Sequence, residues 1–228
     1  MDSVLILIFQ LIVLIFSVMV HEVSHGYVAE RLGDPTARLA GRLTLNPIKH
    51  LDPFGSVILP IILSIPAIFG QPAFIIGWAK PVPYNPLNLK NPERGGATIA
   101  AAGPLSNIFI AAVFGLFIRF LGASNYGNGT FVGLFSTIVS LNLLLAFFNL
   151  IPIPPIDGSK ILSYFLPVGA RVSWNNFWRQ IGYWIAKNRF LFFIILFFSF
   201  KYIFAVIFAI ISPLINFFHT LFAGQPFG

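Results

Sequence analysis

Residues 3–25, SVLILIFQLIVLIFSVMVHEVSH, decide the fold of this chain. The stretch carries no charge before its last five residues, and we predict one helix over residues 4–30. At about 1.5 Å per residue, a helix of that length crosses the apolar core of a bilayer. A cleaved signal peptide would have a positive start and a small-residue cleavage site, and the stretch shows neither. We therefore interpret it as a retained transmembrane helix.

The composition of the whole chain has the same membrane character. Of its 228 residues, 57% are hydrophobic and only 9% are charged, whereas soluble domains carry about 25% charged residues. Lipid must therefore surround most of the surface, and we predict a single membrane domain over residues 1–228. The net charge is +7, but Lys and Arg lie in short segments between apolar blocks. That distribution fits contacts with anionic lipid headgroups and excludes a nucleic-acid partner.

The apolar blocks predict an all-α integral membrane protein with about four transmembrane helices, at residues 4–30, 97–120, 131–151 and 190–222. Two regions break this pattern. Residues 36–53 look extended and are punctuated by Asn-Pro and Asp-Pro turns, which predicts a small membrane-associated β insertion. Residues 54–78 are apolar but interrupted by proline and glycine, which predicts a re-entrant hairpin packed around a wet site.

The positive charges predict how the chain lies in the membrane. Arg31, Arg38, Arg42 and Lys49 follow the first helix, whereas only Asp2 precedes it. Positive loops stay on the cytoplasmic side, so the N-terminus is expected outside and residue 31 inside. The motif HEVSH lies near the inner end of this helix. We therefore expect the functional site to face the cytoplasm.

His21, Glu22 and His25 form an H-E-x-x-H motif on the first helix. A spacing of four residues places both imidazoles on one face, one turn apart, where they can share a zinc ion. Glu22 can reach a metal-bound water and act as a general base. Because the chain has no cysteine, any metal must be bound by His, Asp or Glu. Ionisable groups inside a membrane are costly unless they are paired or ligated, which favours a metal site over a chance match.

A catalytic zinc site needs a third protein ligand, and the sequence offers two acidic candidates. Asp157 follows a predicted span at its inner end, at a depth similar to that of HEVSH, so we prefer it. Glu93 lies in a stretch rich in proline and asparagine and stays open as the alternative ligand. Its use would indicate a different class of membrane metallopeptidase.

Several motifs in order resemble those of the site-2 proteases, the intramembrane zinc metalloproteases. HEVSHG at residues 21–26 and NLIPIPPIDG at 149–158 resemble the two signatures of the family. AGPLSN at 102–107 and GRLTLNPIKHLDPFG at 41–55 resemble its short bacterial and archaeal branch.

This resemblance implies a role for each matched residue. His21, His25 and Asp157 would bind Zn²⁺, Glu22 would activate water, and Asn149 would steady the substrate carbonyl or its oxyanion. It further implies a bacterial or archaeal plasma membrane, and we expect the short form that lacks a PDZ domain.

The predicted function is zinc-dependent cleavage of peptide bonds within or near the transmembrane segments of membrane-protein substrates. Metalloproteases often hold substrate as an added strand, so the predicted extended edge is a candidate substrate-binding surface. Its residues are Arg42, Leu43, Thr44 and Leu45. Asn107, inside a span, could position substrate or form hydrogen bonds between helices.

Two roles without proteolysis remain as alternatives. A metal transporter would carry ionisable groups through the depth of several helices, whereas here they cluster at one end. A membrane scaffold would not need Glu22, so its phenotype should survive Glu22→Gln.

Overall fold

The computed structural model describes residues 3–58, 61–62, 65, 79–123 and 129–225. Its helices are α1 (Ser3–Arg31), α2 (Thr36–Leu39), α3 (Pro92–Ala123), α4 (Gly129–Asn149), α5 (Asp157–Phe165), α6 (Val168–Lys187) and α7 (Arg189–Ala223). Four segments of α1, α3, α4 and α7 are long and apolar enough to cross a membrane, namely Val4–Arg31, Pro92–Gly122, Gly129–Asn149 and Tyr202–Ala223. The predicted multi-pass, all-α membrane protein is confirmed.

The helix α3 is the centre of the bundle and packs against α1, α4, α5 and α7. Its small residues make this possible, because helices in lipid approach closely where side chains are small. A Cβ added at Gly115, for example, would lie 2.4 Å from Cβ of Phe222 in α7. The apolar core fills the space between α3, α4 and α7, with Ala111, Ile118, Val139, Leu143, Phe147, Ile211, Ile215 and Ala223.

The predicted β insertion over residues 36–53 is wrong, since the structure has no strand among the residues it describes. Thr36–Leu39 is helical, Pro47–Lys49 is a 3₁₀ turn and Pro53–Ile58 is π-helical. A single antiparallel bridge joins Leu51 to Ala79.

Local hydrogen bonds from side chains to the backbone explain why this segment turns instead of extending. Asp34 Oδ1 accepts from the N–H of Thr36, and Asn46 Oδ1 accepts from the N–H of Ile48. Such bonds compete with strand pairing. The predicted re-entrant hairpin over 54–78 falls mostly outside the residues that the structure describes.

Asp34 ties the end of α1 to the segment that leads into α3. Its buried carboxylate accepts from the hydroxyl of Thr36 at 2.5 Å, from the N–H of Asn85 at 2.6 Å and from Nδ2 of Asn88 at 2.7 Å. Burial alone would raise the pKa of Asp34, but the bonds from Thr36, Asn88 and Asn85 outweigh it and hold the pKa below the usual 3.8. The residues just before Asn85 are thereby held beside α1.

Candidate active site

His21, His25 and Asp157 converge on one point at the junction of α1 and α5. The Nε2 atoms of both histidines lie 3.1 Å from Oδ2 of Asp157. The two imidazole rings stand edge to face, with their centroids 4.7 Å apart. Both histidines are buried, with 5% and 9% of their surface exposed. Asp157 lies 136 positions after His21 in the sequence, yet its oxygen and the nitrogens of both histidines point to a common centre.

This donor set fits a zinc ion. Zn–N and Zn–O bonds of 2.0–2.1 Å place tetrahedral ligand atoms about 3.3 Å apart, close to the 3.1 Å observed here. Nδ1 of His21 lies 2.6 Å from Oδ1 of Asn107, and Nδ1 of His25 lies 2.6 Å from the carbonyl oxygen of Ile99. Each Nδ1 faces an acceptor and so carries the proton, which leaves the Nε2 lone pairs free for a metal. A cation at the centre would satisfy all three atoms at once.

Two glycines allow this close approach. A Cβ added at Gly103 of α3 would lie 2.5 Å from the His21 ring and 2.6 Å from that of His25. A Cβ added at Gly158 would lie 2.2 Å from the carbonyl oxygen of Leu150. Only glycine lets α5 begin so near the end of α4, and the first turn of α5 carries Asp157. A carboxylate is also favoured there by the helix dipole.

The alternative ligand Glu93 is not part of this cluster. It lies at the start of α3 and forms an ion pair with Arg171 of α6. Glu22 is a closer competitor, because its carboxylate lies within 4.8 Å of the ligand atoms of His21 and His25. However, Oε2 of Glu22 accepts a 2.8 Å hydrogen bond from the N–H of Val82. Asp157, whose oxygen contacts both imidazoles, is therefore the candidate third ligand that the geometry favours.

A cavity of about 180 Å³ opens beside the cluster. Glu22 and Asn149 both line it, together with the two histidines and Asp157. The side chain of Asn149 donates from Nδ2 to the carbonyl oxygen of Leu145, one turn back in α4, at 2.9 Å. The five residues expected to act together are thus brought to one cavity.

The segment around Val82 closes one side of this cavity and was not among the predicted site residues. Pro81, Val82 and Tyr84 all line the cavity. The signal in the sequence was the run AKPVPYNP at residues 79–86, an irregular stretch directly before a spanning helix. Nothing in that run indicates that its backbone reaches Glu22, which lies 60 positions earlier in the chain.

The predicted substrate-binding edge, residues 42–45, lies away from the cavity, because none of its four residues lines the cavity in the described structure. Arg42 is 8% exposed, and its guanidinium donates to the carbonyl oxygens of Lys49 and Lys80, each at 2.5 Å. A longer bond of 3.4 Å reaches the carbonyl oxygen of Pro81. Arg42 therefore holds the segment that closes the cavity.

The other predicted substrate contacts are placed as follows. Leu43 packs toward Gly26, where an added Cβ would lie 2.7 Å from its Cδ2. The carbonyl oxygen of Thr44 faces Nε2 of His50 at 2.8 Å, and Leu45 is exposed. Asn107 is fully buried against His21, so it has no surface to offer a substrate.

Comparisons with known proteins agree with this chemistry. A model of peptidase family M50 matches residues 124–196. "Putative zinc metalloprotease YwhC" of Bacillus subtilis is 41% identical over 172 residues, which are 72% of this chain and 71% of that protein. "Putative zinc metalloprotease MJ0611" of Methanocaldococcus jannaschii is 33% identical over 181 residues, 79% of this chain and 78% of that protein. No solved structure matches the chain significantly.

Proposed function

The chain belongs to peptidase family M50, the site-2 protease family, and we propose that it cleaves membrane proteins within or near their transmembrane segments. The family and the names of the relatives confirm two predictions from the sequence, namely a metallopeptidase and zinc as its cofactor. The observation that carries the proposal is a pair of contacts beside a cavity that Glu22 lines. The Nε2 atoms of His21 and His25 each lie 3.1 Å from Oδ2 of Asp157.

Each residue of the cavity takes a distinct role in this proposal. His21, His25 and Asp157 would hold the zinc ion, which when bound would supply a Lewis acid for the scissile carbonyl and lower the pKa of water. Glu22 accepts a proton from the attacking water and delivers it to the leaving amine. Its Oε2 accepts from the N–H of Val82, which holds the carboxylate in place and leaves Oε1 to take the proton. Asn149 would turn its amide from Leu145 toward the oxyanion.

The chemistry of cleavage limits the form in which a substrate binds. In an α-helix each interior carbonyl oxygen accepts a hydrogen bond from the N–H four residues later, so the scissile amide is engaged by the helix itself. A transmembrane substrate must therefore unwind at the scissile bond. We expect residues that weaken helices, such as glycine and proline, near the cleavage position.

The proposed location is a bacterial or archaeal plasma membrane, with the site toward the cytoplasm. The support is the distribution of positive charge at the end of α1: Arg31 is the last residue of the helix that carries both histidines, and Arg38 and Arg42 follow it. Lys and Arg in short loops favour the cytoplasmic side. Single-cysteine labelling in intact cells would test this directly, since the chain has no cysteine of its own.

The test combines zinc content with cleavage of a model transmembrane substrate by detergent-purified protein. We expect about one zinc per wild-type chain, zinc without cleavage for Glu22→Gln, and loss of both for Asp157→Asn. Glu93→Gln is the matched control and should retain both. If Asp157→Asn kept its zinc and Glu93→Gln lost it, Glu93 would be the third ligand. Normal function of Glu22→Gln in cells would favour the scaffold alternative.

A further inference from the structure

The transmembrane core contains a chain of buried amides that leads from α4 to a proposed zinc ligand. Asn107 of α3 and Asn142 of α4 both have 0% of their surface exposed. We propose that these two residues form a positioning relay that fixes the proton of His21 on Nδ1 and so keeps Nε2 ready for metal. This inference rests on the proposed function and assigns Asn107 and Asn142 a role in metal affinity.

The direction of the relay follows from its anchors in the backbone. Nδ2 of Asn142 donates to the carbonyl oxygen of Ile138 at 2.9 Å, so Oδ1 of Asn142 points toward Asn107. Nδ2 of Asn107 donates to that Oδ1 at 2.9 Å and to the carbonyl oxygen of Ser17 at 3.3 Å. A backbone carbonyl can only accept, so neither amide can turn over without losing a bond.

The consequence for His21 is a single tautomer. With both donors of Asn107 used, its Oδ1 is the atom that faces Nδ1 of His21 at 2.6 Å. An acceptor at that distance requires a proton on Nδ1, and the neutral ring then has its lone pair on Nε2. His25 obtains the same result from the carbonyl oxygen of Ile99. Because His21 is held by a side chain and His25 by the backbone, the tautomer of His21 is the one that a point mutation can change.

A role limited to helix packing does not account for the whole arrangement. Two asparagines that only joined α3 to α4 would satisfy each other, as amides between transmembrane helices do. Here the amide oxygen of Asn107 instead continues to a third helix and ends on His21. Groups that hydrogen-bond a ligating histidine tune its orientation and basicity, and their loss typically costs about 10–100-fold in metal affinity.

The relay predicts different effects for its two members. Asn107→Leu removes the acceptor from Nδ1 and should weaken zinc binding about 10–100-fold. Asn142→Leu leaves Asn107 held only by the longer bond to Ser17. Its amide can then turn over, present Nδ2–H to Nδ1 and move the proton of His21 to Nε2. We therefore expect a smaller but measurable loss of zinc affinity, about 10-fold, from a residue that touches no proposed ligand.

One matched variant separates tuning from stability. Val139→Ala removes two methyl groups from a fully buried side chain of α4, one turn from Asn142, without touching the relay. It should lower the melting temperature and leave zinc affinity unchanged.

The experiment is zinc titration against a competing chelator for the wild-type protein and these three variants in detergent. It is combined with ¹⁵N NMR of histidine-labelled, metal-free Asp157→Ala and Asp157→Ala/Asn142→Leu, in which the Asp157 carboxylate no longer faces Nε2 of His21. The relay predicts Nδ1–H on His21 in Asp157→Ala and a growing share of Nε2–H in the double variant.

Wild-type zinc affinity in Asn107→Leu and Asn142→Leu, with zinc-dependent cleavage intact, would overturn the relay and leave the proposed function standing. Nε2–H on His21 in metal-free Asp157→Ala would also overturn the relay. If wild type bound no zinc at all, both proposals would fail together. Should Asn107→Leu not fold, Asn142→Leu and the tautomer of His21 in Asp157→Ala still decide the question.

Discussion

Replacement of Gly103 by alanine adds a single methyl group and should nevertheless abolish most of the proteolytic activity. A Cβ at this position would lie 2.5 Å from the His21 ring, so the ring must move by roughly 0.9 Å to reach an ordinary contact of 3.4 Å. A misplacement of about 1 Å in a catalytic constellation can cost roughly 100-fold in rate. Overpacking also costs about 1–3 kcal/mol of stability, against a helix gain from Gly to Ala of about 1 kcal/mol.

The assay is cleavage of a model transmembrane substrate, with zinc content and melting temperature measured on the same samples. Gly122→Ala is the matched control, because it lies in the same helix and an added Cβ meets nothing within 4 Å. We expect Gly122→Ala to be as active as wild type and Gly103→Ala to lose about 100-fold in rate or more. Full zinc content and full activity in Gly103→Ala would refute the close packing of α3 on the two imidazoles.

Three further predictions concern the segment that closes the cavity and its supports. Val82→Pro removes the N–H that holds Glu22 and should lower kcat about 10-fold with zinc content unchanged, whereas Val82→Ala keeps the N–H and most of the rate. Arg42→Ala removes bonds to two carbonyl oxygens at 2.5 Å and should accelerate amide exchange over residues 79–84, measured by mass spectrometry; unchanged exchange would contradict the clamp. The pKa of Asp34 is lowered by folding, so its stabilising contribution is complete above pH about 4 and lost as the pH falls through the folded-state value. Melting curves against pH should therefore be flatter at acid pH for Asp34→Asn than for wild type.

The spanning helices could be predicted from sequence because hydrophobic runs and their length determine them. The predicted span 97–120 lies within α3, Pro92–Ala123, and the predicted span 190–222 lies within α7, Arg189–Ala223. The sequence did not distinguish one long terminal helix from two elements, since Pro213 interrupts the run. The structure has one continuous helix through Pro213.

The site could be predicted where its residues are close in sequence or at matching depth. The spacing of His21 and His25 follows from helical periodicity, and depth placed Asp157 near them. The contact between His21 and Asn107 joins residues 86 positions apart on two helices. No local pattern indicates such a contact, so Asn107 was associated with substrate or packing. The segment at 36–53 was misread as strand because local turn signals were underweighted: the side chains of Asp34 and Asn46 accept from backbone N–H groups two residues on and bend the chain.

X-ray absorption spectroscopy at the zinc edge of the purified, zinc-loaded protein tests the central claim most directly. The account predicts a first shell of nitrogen and oxygen at about 2.0–2.1 Å, without sulfur, and outer-shell scattering from two imidazole rings. Asp157→Asn should lose the metal, and any zinc that remains should keep both imidazole signals and lose its carboxylate ligand. A spectrum with three imidazoles, or one left unchanged by Asp157→Asn, would contradict the centre formed by His21, His25 and Asp157.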